Sequence, residues 1–321
     1  MHARSMFALG LLLNFSIVAT VQAQSWEPPS EAQRCPSKWG ANDERGAANH
    51  MKPQIVLKAA QLIKAGEVIE LGHKLAPNMP FFGTRRFDVH MKRTSTAPAA
   101  GNVTGRSGNE EVVITEIGHV GTQFDAFPHQ TIGDTMYNCV KNSEAAGRGG
   151  FAKLGVDNVG AIFTRGVLID VAAFKGVEML DDNYEITADD LKGALAKQGQ
   201  TLQPGDAVVI HTGWGKLWAK ENARFVKSCP GIGVGAATWL VEQDPILIGS
   251  DNWPVEVFPA KDPKLSFPVH QIMLVVHGIY LLENMKLDEL AAKRAFEFAL
   301  SLQPLKIQGG TGSTVAPVAL R

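Results

Sequence analysis

The sequence has no CxxC pair. Its three cysteines, Cys35, Cys139 and Cys229, stand far apart, which argues against a cysteine-based zinc knuckle or a thioredoxin-type site. It also lacks any excess of one charge. Lys and Arg number 31 against 32 Asp and Glu, a net of -1 with a pI near 6.8, so no basic surface points to nucleic acid or to an anionic membrane. No Ser/Pro-rich or single-charge run marks a linker, and no internal repeat is detectable. After the first 23 residues no apolar run is long enough to span a bilayer. What remains is an ordinary globular composition, 45% hydrophobic and 20% charged over 321 residues, with a small molecule as the default partner. Such a chain can bury a substantial core in one large domain.

The N-terminus reads as a secretory signal peptide. Arg4 precedes an apolar run from Met6 to Val18, and Val21-Gln22-Ala23 forms a small-x-small cleavage site before Gln24. The run is shorter than the ~20 residues of a membrane anchor. The expected organisation is therefore a signal over residues 1–23 and one domain over 24–321, in a periplasmic or secreted protein with no membrane span after signal removal. Removing the signal takes away Arg4 and no acid, leaving a net charge of -2. Export makes disulfides possible. Three cysteines allow at most one intramolecular bridge, in any of three pairings, and unpaired buried thiols fit the sequence equally well.

A helix is expected from Pro53, where Ile55, Val56, Ala59, Leu62 and Ile63 follow the helical period and Gly66 is placed to end it. Val68 to Leu75 alternates like a strand. Residues 78–108 are rich in Pro, Gly, Thr and Arg, and read as a long loop or hairpin over a site. Glu111 to His119 reads as a strand leading directly into the stretch HVGTQFDAFPH at 119–129. Further strands are expected at Gly166 to Val171, Ala207 to His211, Ile246 to Ser250, Gly278 to Leu282 and Ala295 to Leu302. Helices are expected at Thr187 to Lys197, with Thr187 as N-cap and Asp190 three residues on, at Val234 to Gln243 and at Val269 to Val276. Strands and helices mix without a strict βαβ rhythm, which predicts an α/β fold with a mixed sheet and helices packed outside.

HVGTQFDAFPH carries the chemistry. His119, Gln123 and Asp125 are separated by even steps, so an extended strand would point them to one side. At ~3.3 Å per residue, however, His119 and Gln123 would stand about 13 Å apart, too far to share an ion at ~2.0–2.2 Å. The chain must turn between them, and Gly121, which tolerates positive φ, can absorb the turn. Pro128 then stiffens the exit and holds His129 at the edge of the same cleft. A divalent ion held by imidazole and carboxylate can acidify a bound water and polarise a carbonyl, with His129 carrying a proton between water and leaving group. Hydrolysis is the natural outcome. A strand end with hydrogen-bonded polar residues at a turn would show the same residues.

The stretch resembles the HxGTHxDxPxH signature of the putative cyclase family, which includes bacterial kynurenine formamidases and isatin hydrolase. It matches at His119, Gly121, Thr122, Asp125, Pro128 and His129, with the proline one position later than in the signature. The similarity extends to WGANDERGAANHM at 39–51, HTGWG at 211–215, HGIYLLENMKLDEL at 277–290 and GGTGSTVAPVAL at 309–320. The resemblance implies the family's swivelling β/α fold. It also implies a metal centre at His119, Gln123 and Asp125 completed by His270 and Glu283, with His129 as the catalytic histidine. Gln123 stands where the family has a histidine. Its amide is a neutral, harder and generally weaker ligand than imidazole, so one principal ion, Mn or Zn, is expected, with a second site in doubt. A homodimer or homotetramer is expected from the same resemblance.

Among the other candidates, His211 closes an apolar strand before a Gly-containing turn, where it can face substrate or bond to nearby backbone. Trp214, Phe81 and Phe82, with Trp218 and Trp253, can form an aromatic substrate wall. GGTGS at 309–313 lacks the Lys-Ser/Thr ending of a phosphate-binding loop and reads as a structural turn near the site. His277 and His73 read as structural. The resulting expectation is a metal-dependent hydrolase opening or cleaving an amide bond of a small cyclic or N-acylated aromatic molecule. The alternatives are a metal-dependent lactone hydrolase, cyclase or lyase, and an exported binding protein that has lost catalysis.

Overall fold

The computed structural model describes residues 25–93, 104 and 108–321. The proposed signal segment lies outside the described residues. Nine strands form one mixed sheet: β1 Val68–Glu70, β2 Gln123–Asp125, β3 Ile162–Asp170, β4 Ala207–His211, β5 Leu247–Ser250, β6 Tyr280–Glu283, β7 Glu297–Leu302, β8 Gly312–Thr314 and β9 Val318–Leu320. Their spatial order is β1-β9-β7-β3-β4-β5-β6-β2-β8. The four central strands β3, β4, β5 and β6 run parallel, and every pairing outside them is antiparallel. The expected mixed sheet is what forms.

The strands β4, β5 and β6 are mainly apolar up to their last residues, His211, Ser250 and Glu283, because both sheet faces are covered. Every residue of β4, β5 and β6 is buried. The helix Ala188–Gln198 begins with the expected box, in which the Thr187 and Asp190 side chains each accept the other's backbone N–H. It ends at Gly199 in the left-handed region and buries Leu191, Ala194 and Leu195 beside the helix Val234–Glu242. The helix Pro53–Ala60 packs on β3. No helix among the described residues is long and apolar enough to cross a membrane.

Several boundaries differ from expectation. The first helix ends at Ala60, well before Gly66. The strand from Val68 stops at Glu70, after which the His73 backbone N–H turns to the Thr122 hydroxyl. Val171 is not the end of β3 but the start of a short helix, whose first turn Asp170 caps through the Ala173 N–H. The helix expected at Val269 to Val276 runs from Pro268 to His277, and all of it after His270 is wound as a π-helix.

The largest correction concerns the strand before the motif. Asn109–Thr115 does not lead into the motif as a strand of the main sheet. It pairs with Phe87–Arg93 in a separate two-stranded ribbon, where Val112, Val113 and Ile114 remain exposed. β-Branched residues favour an extended chain wherever it lies, so their pattern did not reveal which sheet they join. Cys35 and Cys139 form the single disulfide, and Cys229 is a buried thiol.

Candidate metal centre

His119 and Asp125 are brought together by the turn that their spacing requires. Gly121 has φ +67°, and the loop is pinned from β6, whose following residue Asn284 donates its side-chain amide to the Gly121 carbonyl at 2.9 Å. The chain then enters β2, with Asp125 as its last residue, and winds into a 3₁₀ turn Phe127–His129 with Pro128 near its start. The His119 and His129 rings therefore stack with centroids 4.2 Å apart and bracket one carboxylate. His119 Nδ1 lies 3.3 Å from Asp125 Oδ1, and His129 Nε2 lies 4.0 Å from Oδ2.

The other half arrives from β6 and the helix before it. Antiparallel pairing sets Glu283 directly opposite Gln123. His270 Nε2 points between the carboxylates, 3.7 Å from Asp125 Oδ2 and 3.2 Å from Glu283 Oε1. Two donor groups thus share Asp125. One is His119, Asp125 and His129, the other Asp125, His270 and Glu283, each with donor atoms within 4.8 Å of one another.

Three further side chains orient these donors. Thr311 Oγ1 pairs with His119 Nε2 at 2.8 Å, leaving Nδ1 toward Asp125. Glu256 Oε1 accepts from His270 Nδ1 at 2.5 Å. Gln123 Nε2 donates to Glu283 Oε2 at 2.5 Å. Thr311 lay in the GGTGS segment already placed near the site, whereas Glu256 lies in no motif. Arg85, also missed, is one of 31 basic residues and lies in a loop without a pattern.

Asp125 is wholly buried, and neither carboxylate oxygen nor His119 Nδ1 makes a hydrogen bond. Leaving a buried ionised group without a partner costs several kcal/mol, so these orphaned atoms mark a candidate cation site. Burial pushes the Asp125 carboxyl up, but the surrounding imidazoles of His129, His119 and His270 hold it below the usual carboxylate range. Burial pushes His129 down to about 3 against the attraction of Asp125, which keeps its ring neutral. Burial and the Asp125 charge push Glu283 up to about 8. His270 is raised to about 10, because Glu256 and Glu283 outweigh the opposing effect of burial. A divalent ion would compete with these protons. The oxygen and imidazole donors suit Mn or Zn.

A small cavity over the centre, about 20 Å³, is lined by Phe81, Phe82, Arg85, His119, Gln123 and Trp253 among others. Phe82 stacks on Trp253 with centroids 4.2 Å apart. The remaining candidates lie elsewhere. Trp214 is a core residue, wholly buried, whose indole N–H donates to the Phe225 carbonyl. His211 pairs through Nδ1 with the Asp170 carboxylate at 2.8 Å, not with backbone. It lines a different cavity of about 230 Å³, beside His73 and Trp218.

The family model described as "Putative cyclase" matches residues 69–257. A crystal structure described as a novel cyclase is 36% identical, with a TM-score of 0.80 over 88% of this chain and 96% of that one. An isatin hydrolase bound to the product analogue thioisatinate is 25% identical, with a TM-score of 0.57 over 84% of this chain and 99% of that one. Isatin hydrolase A from Ralstonia solanacearum, 23% identical with a TM-score of 0.58 over 84% and 98%, shares the fold. No curated protein matches the chain.

Proposed function

The chain belongs to the putative cyclase family, and on that premise we propose that it is a metal-dependent hydrolase cleaving an amide bond in a small cyclic or N-acylated aromatic substrate. The observation that carries this reading is Asp125, a buried carboxylate with both oxygens unpartnered among three imidazoles. The similarity to an isatin hydrolase supports amide chemistry. His119, Asp125, His270 and Glu283 would hold the ion, with His129 beside Asp125 and Gln123 bonded to Glu283. When bound there, Mn or Zn would make a water nucleophilic near neutral pH and polarise the scissile carbonyl.

The residues of the chain perform the rest. Neutral His129 accepts a proton from the attacking water and returns it to the leaving nitrogen, as a general base and then a general acid. Phe81, Phe82 and Trp253 supply the aromatic wall, and the Arg85 cation beside them suits the carboxylate that amide hydrolysis releases. The cavity of about 20 Å³ is far smaller than the ~300 Å³ at the low end of ligand pockets. Substrate entry therefore requires this cavity to widen.

The proposed address is periplasmic or secreted, in keeping with the Cys35–Cys139 bridge, and the proposed assembly is a homodimer or homotetramer. Elemental analysis of the mature protein beside Asp125→Ala, followed by turnover of cyclic amides and N-acyl arylamines, tests the activity. The expected result is about one ion per chain in the wild type, background in the variant, and ring-opened or deacylated product. Lactone-opening activity without amide turnover would replace the substrate class.

A further inference from the structure

We propose that Glu256 is a positioning residue that presents His270 to the metal ion. The proposal rests on the metal-dependent reading above. Glu256 is buried, 2% exposed, in an irregular segment that Val255, with φ +60°, introduces. The segment is tied down on either side. Ile232 N donates to the Val255 carbonyl, and Val257 N to that of Ile232. The Cys229 and Phe258 backbones exchange two further bonds, and the Asn252 side chain donates to the Pro230 carbonyl. The carboxylate is therefore delivered to one place.

All of its hydrogen bonds converge on two residues. Oε1 accepts from His270 Nδ1 at 2.5 Å and from the His270 backbone N–H at 3.0 Å, and Oε2 accepts from the Val269 N–H at 3.1 Å. The carboxylate thus grips both the backbone and the ring of His270. Because a carboxylate only accepts, it places a proton on Nδ1 and turns Nε2 toward Asp125 and Glu283. A ligating histidine commonly has its second nitrogen held in this way, and removing the holder typically costs 10–100-fold in metal affinity. A cavity of about 550 Å³ is lined by Glu256, Pro268 and Val269 but by none of the centre's donors. Glu256 therefore stands between that cavity and His270.

A residue that merely caps the turn at Pro268 would affect stability and leave the ion alone. The test is the affinity of the full-length mature protein for Mn²⁺ and Zn²⁺ by chelator competition, in wild type, Glu256→Gln, Glu256→Asp and Asp125→Ala. Gln keeps the shape but presents an N–H to donors that need an acceptor. Glu256→Gln should lose about 10–100-fold in ion affinity, with partial recovery in Glu256→Asp. Unchanged affinity in a folded Glu256→Gln overturns the proposal. Asp125→Ala separates the two readings: if it still binds the ion, the metal centre itself is misassigned. Should the Glu256 variants fail to fold, ¹⁵N spectra of the metal-loaded wild type decide. A proton on His270 Nδ1 supports the proposal, and one on Nε2 refutes it.

Discussion

Gln123 and Glu283 sit directly opposite each other on the antiparallel strands β2 and β6, and the glutamine amide nitrogen donates to the glutamate Oε2 at 2.5 Å. The residue in the family's histidine position is thus engaged with another donor of the centre. It constrains Glu283 without adding a charge. Imidazole would give the same position a stronger ligand for Zn. Gln123→His should raise Zn²⁺ affinity by about tenfold or more, a free-energy gain of ~1.4 kcal/mol. Chelator competition measures it, and weaker binding in the variant would show that the bond to Glu283 matters more than the added ligand.

Thr311 acts on His119 from the neighbouring strand side, 192 residues away in sequence. Thr311→Val removes the hydroxyl and keeps the shape. Ion affinity should fall about tenfold while the thermal midpoint of the metal-free protein barely moves. Equal affinities would mean that packing alone orients the His119 ring.

Gly121 has φ +67°, and a Cβ there would fall 2.2 Å from Leu75 Cδ2. The leucine is 36% exposed and its methyl group can move aside, so backbone strain costs more than the steric clash. Gly121→Ala should cost about 1–2 kcal/mol and weaken ion binding, because the same turn brings His119 to Asp125. Denaturant unfolding with and without Zn²⁺ checks both effects.

His73 and His211 should impose opposite pH dependences. Burial drives His73 down to about 4 from 6.5, so its contribution is present above 6.5 and is lost as pH falls toward 4. For His211, burial is outweighed by Asp170 and Asp251, which raise it above 6.5. Its contribution is complete below 6.5 and is lost as pH rises through the raised value. His73→Phe, which keeps an aromatic ring against Trp218, should flatten the acid limb of stability, and His211→Asn the alkaline limb. Denaturation midpoints from about pH 4 to about pH 9 test this; both variants altering the same limb would contradict it.

Cys35 and Cys139 close a separation of 104 residues. A loop of that size removes enough denatured-state entropy for a bridge to contribute about 4–5 kcal/mol. The Cys35→Ser/Cys139→Ser protein should lose stability of that order in urea. Identical wild-type curves with and without reductant would show that the bridge contributes nothing in solution.

Much of this architecture was legible because it depends on neighbours in sequence. The Thr187 and Asp190 box needs only a three-residue spacing, and the need for a turn at Gly121 follows from the reach of an extended chain. The central strands announced themselves as short apolar runs. Asn109–Thr115 was misplaced because its β-branched residues specify an extended chain without specifying a partner. The start of the helix at Val171 was missed because Asp170 both ends a strand and caps a helix.

By itself, the sequence indicated six of the nine strands of the main sheet, the mixed α/β class, the candidate donors of the 119–129 stretch and, through resemblance, the candidates His270 and Glu283. Tertiary structure alone decided how those donors are held. The partners of Gln123 and His119 lie 160 and 192 residues away, and Glu256 reaches His270 only because its irregular segment is tied to residues 229–232. Tertiary structure also chose the Cys35–Cys139 pairing, moved Trp214 into the core and gave His211 a carboxylate partner. Chain geometry restricts a residue's near neighbours in sequence, whereas hydrogen-bond partners across a sheet depend on strand order and register. Those are properties of the whole packed chain.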